Sequence, residues 1–252
     1  MKFIEKCPST WEELQDLVAQ LLNQAGYHAV SPCTIDTVRG TVEVDVFVES
    51  PDVFVKTLIC ECKFWKTPVT KEKVHAFRTV VHDSGAALGL LISRVGFQSG
   101  AVEAAKLSNV RLLTWEEFTD QIAERWIITQ LRHLKKYSEP LSIYTDPLDF
   151  PFEQLKKSDR KPYLDACEKY RAVRGTCWRI TKSDLLSDDP PKEKWYKFDE
   201  FTSIEAYLSY LHDCVAEALP IFENILKSSD IEIPAEKFDN PESYTYMFLN
   251  SF

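Results

Sequence analysis

Thr41-Val42-Glu43-Val44-Asp45-Val46-Phe47-Val48 and Leu58-Ile59-Cys60-Glu61-Cys62-Lys63-Phe64-Trp65 are the stretches whose reading decides the fold. The first alternates strictly. Val42, Val44, Val46 and Val48 share one face, and Glu43, Asp45 and Phe47 the other, which is the period of a strand buried on one side. Thr57 to Lys63 reads as its partner, and Glu61 and Lys63, two residues apart, point the same way. Two adjacent strands can therefore converge two carboxylates and an ammonium. Charge inside a strand carries a desolvation cost that an apolar residue would not, so three charges there need a reason. For the bare pattern Asp…Glu-x-Lys, a salt bridge across an edge strand is one such reason and a metal site is the other.

Reading outward, Ser9-x-x-Glu12 and Thr10-x-x-Glu13 are overlapping capping boxes. They open an amphipathic helix through Leu14, Leu17, Val18, Leu21 and Leu22 that Gly26 closes. Thr70 caps a second helix with Val74, Phe77 and Val81 as its apolar stripe and Lys71, His75, Arg78 and His82 beside it. Ala86 to Ser93 reads as a buried strand, a short Ala-rich helix runs to Leu107, and Val110 to Leu113 reads as a last strand. Thr114-x-x-Glu117 then caps a long helix running towards Tyr137. Strands alternating with helices imply an α/β fold, a mixed sheet covered on both faces. Beyond about residue 138 the character changes: six Pro from Pro140 to Pro191, the run Asp188-Asp189-Pro190-Pro191, and a helical stretch from Ser203 to Leu226 predict a mostly helical region. The expected division is an α/β domain over residues 1–120 and a helical region over 121–252.

The 252 residues are 44% hydrophobic with 7 Gly, which excludes a disordered or collagenous chain. No apolar run approaches the roughly 18 residues of a membrane span, and the start has no secretory pattern, so a cytoplasmic protein without a membrane role is expected. Seven Cys, of which only Cys60 and Cys62 are closely spaced, form neither a disulfide framework nor a zinc site. A formal charge of −9 argues against binding nucleic acid by bulk positive charge, yet residues 56–111 carry nine basic against four acidic side chains. The acidity lies in the flanks.

As a metal site, Asp45 and Glu61 offer the hard oxygen ligands that suit Mg²⁺ (or Mn²⁺), and Lys63 would orient a water or neutralise charge on a phosphorane. Asp45, Glu61-Cys62-Lys63-Phe64-Trp65, Gly89-Leu90-Leu91-Ile92-Ser93, Gly96-Phe97-Gln98 and Val110-Arg111-Leu112-Leu113, in this order, resemble the catalytic domain of the Mrr-type restriction endonucleases, of the PD-(D/E)xK nuclease superfamily. The resemblance covers roughly residues 10 to 120. It implies a central mixed sheet flanked by helices, metal-dependent cleavage of double-stranded DNA, and a role in prokaryotic defence against foreign DNA. It also implies Asp45, Glu61 and Lys63 as catalytic residues, with Asp45 and Glu61 on the metal. The family's first-helix Glu falls here at Gln15, a weaker metal partner. Glu12, one turn earlier on nearly the same face, could substitute or could belong to the cap. Lys66, Lys71, His75 and Arg78, with Gln98 and Ser99 before a helix, are the candidate DNA contacts; a solvated face or a helix cap explains the same residues. Homodimerisation and a protein partner for the acidic C-terminal region are further expectations. A catalytically retired nuclease fold, used for protein interaction or DNA sensing, is the alternative, and cleavage of RNA a third.

Overall fold

The computed structural model describes residues 1–52, 54–146, 150–187, 190 and 194–233. Of the Asp188-Asp189-Pro190-Pro191 run, only Pro190 lies among them. Contacts divide the chain into two compact units, one over Lys6–Thr129 and one formed by Met1–Glu5 with the residues from Gln130 onward.

The first unit opens with helix α1 (Trp11–Gln24). Thr10 is its N-cap, accepting from the Glu13 amide, while the Glu13 carboxylate accepts from the amide and hydroxyl of Ser9. Of the two expected capping boxes, therefore, Glu12 belongs to neither. At the far end the Tyr27 amide reaches back to the Leu22 carbonyl across Gly26, whose φ of +85° suits a residue without a Cβ. Strands β1 (His28–Val30), β2 (Cys33–Thr37), β3 (Gly40–Val44), β4 (Val46–Glu49) and β5 (Thr57–Lys63) follow. Then come α2 (Lys71–Asp83), β6 (Leu88–Ser93), α3 (Ser99–Ala105), β7 (Val110–Thr114) and α4 (Trp115–Tyr144).

The main sheet has the order β1-β4-β5-β6-β7, and β2 and β3 form a separate hairpin. β4 is antiparallel to β5, whereas β5, β6 and β7 run parallel. The sheet is thus mixed, as the alternation of strands and helices predicts. The strand expected over Thr41 to Val48 is two strands, broken at Asp45. Its alternation survives the break, since Val44, Val46 and Val48 are all buried. The break has a physical cause: the Asp45 carboxylate, rather than a backbone carbonyl, accepts the Cys62 amide, so the ladder between β4 and β5 ends at Val46–Cys60.

One face of the sheet packs on α2 and α3 through Ile59, Leu91, Val74, Phe77, Val81 and Ala101. Gly89 on β6 makes the close approach of α2 possible, because a Cβ there would stand 2.5 Å from Val81 Cγ2 and 2.8 Å from Phe77 Cε1. Gly89→Ala is expected to cost about 1–3 kcal/mol, visible as a lower urea midpoint at an unchanged m-value. An unaltered midpoint would mean that α2 is not held against β6 as tightly as these distances require.

The second unit is helical: α5 (Lys157–Arg179), α6 (Lys182–Leu186) and α7 (Ile204–Ser229) join the later part of α4. α5 buries Tyr163, Ala166, Tyr170, Val173 and Cys177 at helical spacing, and α7 buries Tyr207, Leu208, Leu211, Val215, Ala218 and Phe222. Aromatic contacts join the elements, with Tyr163 stacked on Phe150 and its hydroxyl donating to the Tyr144 carbonyl. Among the described residues no helix is long and apolar enough to cross a membrane.

Candidate active site

The three parallel strands end in register at Lys63, Ser93 and Thr114. In open α/β sheets the carboxyl ends of such strands are where ligands bind. Here two loops are laced together at that edge: Val69 and Phe97 form a bridge, the Val69 amide donates to the Gly96 carbonyl, and the Gln98 amide donates to the Val69 carbonyl. Ser93 Oγ holds the turn by accepting from the Gly96 amide and donating to its carbonyl. A rigid frame thus surrounds the end of β5.

Asp45, at the break between β3 and β4, accepts from the Cys62 amide through Oδ2 at 2.6 Å. Glu61 and Lys63 form an ion pair on the neighbouring strand, with side chains only 26% and 17% exposed. Burial pushes the Glu61 carboxyl above its ordinary pKa; Lys63 opposes this, the nearby Asp45 charge adds to it, and Lys73 on α2 opposes it more weakly. Asp45, Glu61, Lys63 and Lys73 therefore share one electrostatic environment. Neither Asp45 Oδ1 nor Glu61 Oε2 has a hydrogen-bond partner among the described residues. On the opposite face of β5, Cys60 and Cys62 are buried, and desolvation raises both thiols, Cys60 to about 12. They are inert core residues rather than ligands.

Around this group lie side chains that the sequence patterns did not single out. The Lys63 and Lys73 ammonium groups lie 5.6 Å and 6.0 Å from the ring centroid of Trp65. The Arg94 guanidinium covers Phe64 at 4.6 Å, and the Arg94 amide donates to the Lys63 carbonyl. Trp11, at the start of α1, donates its indole N–H to the Cys62 carbonyl at 3.0 Å, tying the first helix to the strand that carries Glu61 and Lys63. No spacing rule links residues so far apart in the chain; a basic–aromatic run such as Lys63-Phe64-Trp65-Lys66 was the signal available for part of it.

Gln15 is buried, 6% exposed, and its amide has no hydrogen bond among the described residues, whereas Glu12 is exposed. Lys66, Lys71, His75, Gln98 and Ser99 are exposed. Arg78 differs: its guanidinium donates to the Ala104 carbonyl at the end of α3, so it fastens two helices together. His82 sits at the other end of α2 from Lys71, against Asp83, which Arg39 pairs at 2.9 Å. The stripe drawn through α2 is thus not one surface in use.

A mixed sheet that brings a carboxylate at a strand break next to a Glu/Lys pair on the adjoining strand defines an α/β domain of the restriction-endonuclease type. Residues 8–122 match the family model Mrr_cat, described as a restriction endonuclease, and this segment is an Mrr-type restriction endonuclease domain. No curated protein matches the chain. A solved structure titled "Crystal Structure of Protein of Unknown Function AF1548" aligns at 15% identity over 85% of this chain and 100% of that one, with a TM-score of 0.39.

Proposed function

We propose that the protein is a divalent-metal-dependent endonuclease that hydrolyses phosphodiester bonds in double-stranded DNA, acting in the cytoplasm in defence against foreign DNA. The observation that carries this is the pairing of Glu61, its carboxyl raised by burial, with a neighbouring carboxylate and an ammonium at the carboxyl end of β5. Such an arrangement costs folding energy unless a ligand uses it.

The residues fit Mg²⁺ or Mn²⁺. Among the described residues no three His, Cys, Asp or Glu side chains gather as a closed metal cage, which disfavours a structural zinc site. Mg²⁺ instead takes one or two carboxylates, keeps several waters and accepts phosphate oxygens. Asp45 and Glu61 would hold it, each with an oxygen free of other bonds. Bound there, the ion would lower the pKa of a water and draw charge from the leaving oxygen. Lys63 would steer the attacking water and meet the charge building on the phosphate. Cys62, through its amide, fixes the Asp45 carboxylate against the strand that carries Glu61, and Trp11 holds the next peptide in place. Lys66, Lys71, Lys73 and His75 would supply a basic rim for the phosphate backbone, with Gln98 and Ser99 at the start of α3 near Lys71; Arg78 is held by the Ala104 carbonyl. The acidic chain as a whole implies weak, salt-sensitive binding and a role for a second copy or a partner protein, through the C-terminal region, in delivering DNA.

Gln15 favours the other reading, a retired nuclease fold that binds without cutting, because a neutral amide stands at the position where the family carries an acid. Gln15→Glu separates the two. A buried carboxylate without a partner should lower the Tm in chelator, and Mg²⁺ should restore it if position 15 reaches the metal. Equal loss of Tm with and without Mg²⁺ would show that it does not. Glu12→Gln, outside the cap and exposed, should leave both stability and metal demand unchanged. Substrate class is tested by presenting one sequence as duplex DNA, single-stranded DNA and duplex RNA: cleavage of the duplex DNA in preference is expected, and binding of DNA with no cleavage in Mg²⁺ or Mn²⁺ would support the retired fold.

A further inference from the structure

The second unit contains a concavity of about 400 Å³ that no part of the nuclease reading uses. One wall is a single stripe of α5, Ala172, Thr176 and Arg179; the other is the segment Lys194 to Lys197 together with Asp199. The walls are tied by the Tyr196 amide, which donates to Thr176 Oγ1 at 3.1 Å, and the Tyr207 hydroxyl of α7 holds the second wall by donating to the Tyr196 carbonyl. Lys197 takes a left-handed backbone conformation, φ +54°, unusual for a residue with a side chain.

The lining is cationic in a region where acidic residues outnumber basic ones. Arg179, Lys194 and Lys197 face it against a single carboxylate, Asp199. Their existing partners engage them loosely: Lys194 stands 3.9 Å from Asp184 and Lys197 3.8 Å from Glu200, both long for a charge-assisted bond. Arg179 uses only Nε on its own helix, donating to the Gly175 carbonyl, and its guanidinium lies across Gly175, where a Cβ would meet NH2 at 3.1 Å. Its outer nitrogens remain available. Trp195, 3% exposed, lies beneath the lining and reports on it from inside.

We infer that this concavity binds a phosphorylated small molecule of nucleotide size. Three cations facing a single carboxylate are a donor set for a multiply charged anion rather than for a lone carboxylate. The volume falls within the range of small-molecule sites, and the half-buried Tyr196 ring gives a flat organic group an apolar surface. The inference does not depend on the nuclease reading, and its test does not use cleavage.

The full chain is labelled with ¹⁵N-tryptophan, the Trp195 indole resonance is assigned with Trp195→Phe, and inorganic pyrophosphate or ADP is titrated without divalent metal. Saturable movement of the Trp195 resonance is expected, with half-saturation shifted upward roughly tenfold or more in the Arg179→Gln/Lys197→Gln double variant; both positions are exposed, so the fold should survive. A lower half-saturation for ADP than for pyrophosphate would assign the organic group to the aromatic wall, and equal values would assign recognition to the phosphates; either upholds the site. No movement, movement reproduced by sodium chloride at matched ionic strength, or wild-type half-saturation in the double variant would overturn it. If Trp195→Phe does not fold, equilibrium dialysis of labelled pyrophosphate against the wild type and the double variant decides the question: tighter retention by the wild type upholds the site, and equal retention overturns it.

Discussion

Asp45→Asn is expected to lower the rate of DNA cleavage by roughly a hundred- to a thousandfold, the scale on which losing one preorganised electrostatic contact acts, with the fold intact. The amide oxygen of Asn can still accept the Cys62 N–H that Asp45 Oδ2 accepts at 2.6 Å, so the break between β3 and β4 keeps its hydrogen bond and only the charge is removed. Asp45→Ala should lose as much activity and, by leaving the Cys62 amide without its acceptor, about 1–3 kcal/mol of stability as well. Comparing the two variants by single-turnover cleavage and urea unfolding separates the chemical role of the carboxylate from its structural one. Full activity in Asp45→Asn would remove Asp45 from the site. Lys63→Ala should also abolish cleavage, but at a cost in stability at neutral pH, because Glu61 would lose its ion-pair partner.

Glu61→Gln is expected to destroy activity and yet, in chelator, to gain stability relative to the wild type as the pH rises. The sign follows from the raised pKa of Glu61 in the fold, caused first by burial and increased by Asp45. Below the unfolded pKa, near 4.5, the carboxyl is neutral in both states and the substitution changes little. Above it the unfolded chain ionises first, so stability is lost as the pH climbs towards the raised folded pKa. The partial exposure of the side chain limits the size of this loss. The amide that Glu61→Gln introduces does not ionise, and the variant should overtake the wild type between pH 4 and neutrality. Mg²⁺ should reverse the order, since an ion that binds only the native wild type stabilises it by mass action. Urea midpoints at several pH values, with EDTA and with Mg²⁺, check both halves; a difference independent of pH and metal would show that Glu61 is neither strained nor a ligand.

Much of the first unit was legible because it is built from local signals. The valine alternation, the Val74, Phe77 and Val81 stripe and the Thr114/Glu117 box, in which each side chain accepts the other's amide, all act within a few residues. The break at Asp45 was not legible, since a period of two continues through it and the carboxylate that causes it bonds to Cys62, on another strand. The β2–β3 hairpin leaves little trace in the sequence for a related reason: Ile35 and Val42 are only half-buried, and the other residues of β2 are small or polar. In the second unit α5 carries no plain sequence signal, because its buried stripe is made of Tyr, Ala, Val and Cys set among charges. At the site, facing and spacing brought out Asp45, Glu61 and Lys63, while Trp11, Lys73 and Arg94 join them only through tertiary packing. Arg78 shows the converse: its place in a basic stripe says nothing of the Ala104 carbonyl that holds it.

The most direct measurement is incubation of the full chain with supercoiled plasmid DNA in Mg²⁺ or Mn²⁺, in parallel with EDTA and with Asp45→Asn. A nuclease built on Asp45, Glu61 and Lys63 converts the plasmid to nicked or linear forms with metal, and leaves it supercoiled in EDTA or when Asp45 is neutralised. Cleavage that persists in EDTA, cleavage by Asp45→Asn at the wild-type rate, or a plasmid left intact by the wild type in both metals would contradict it.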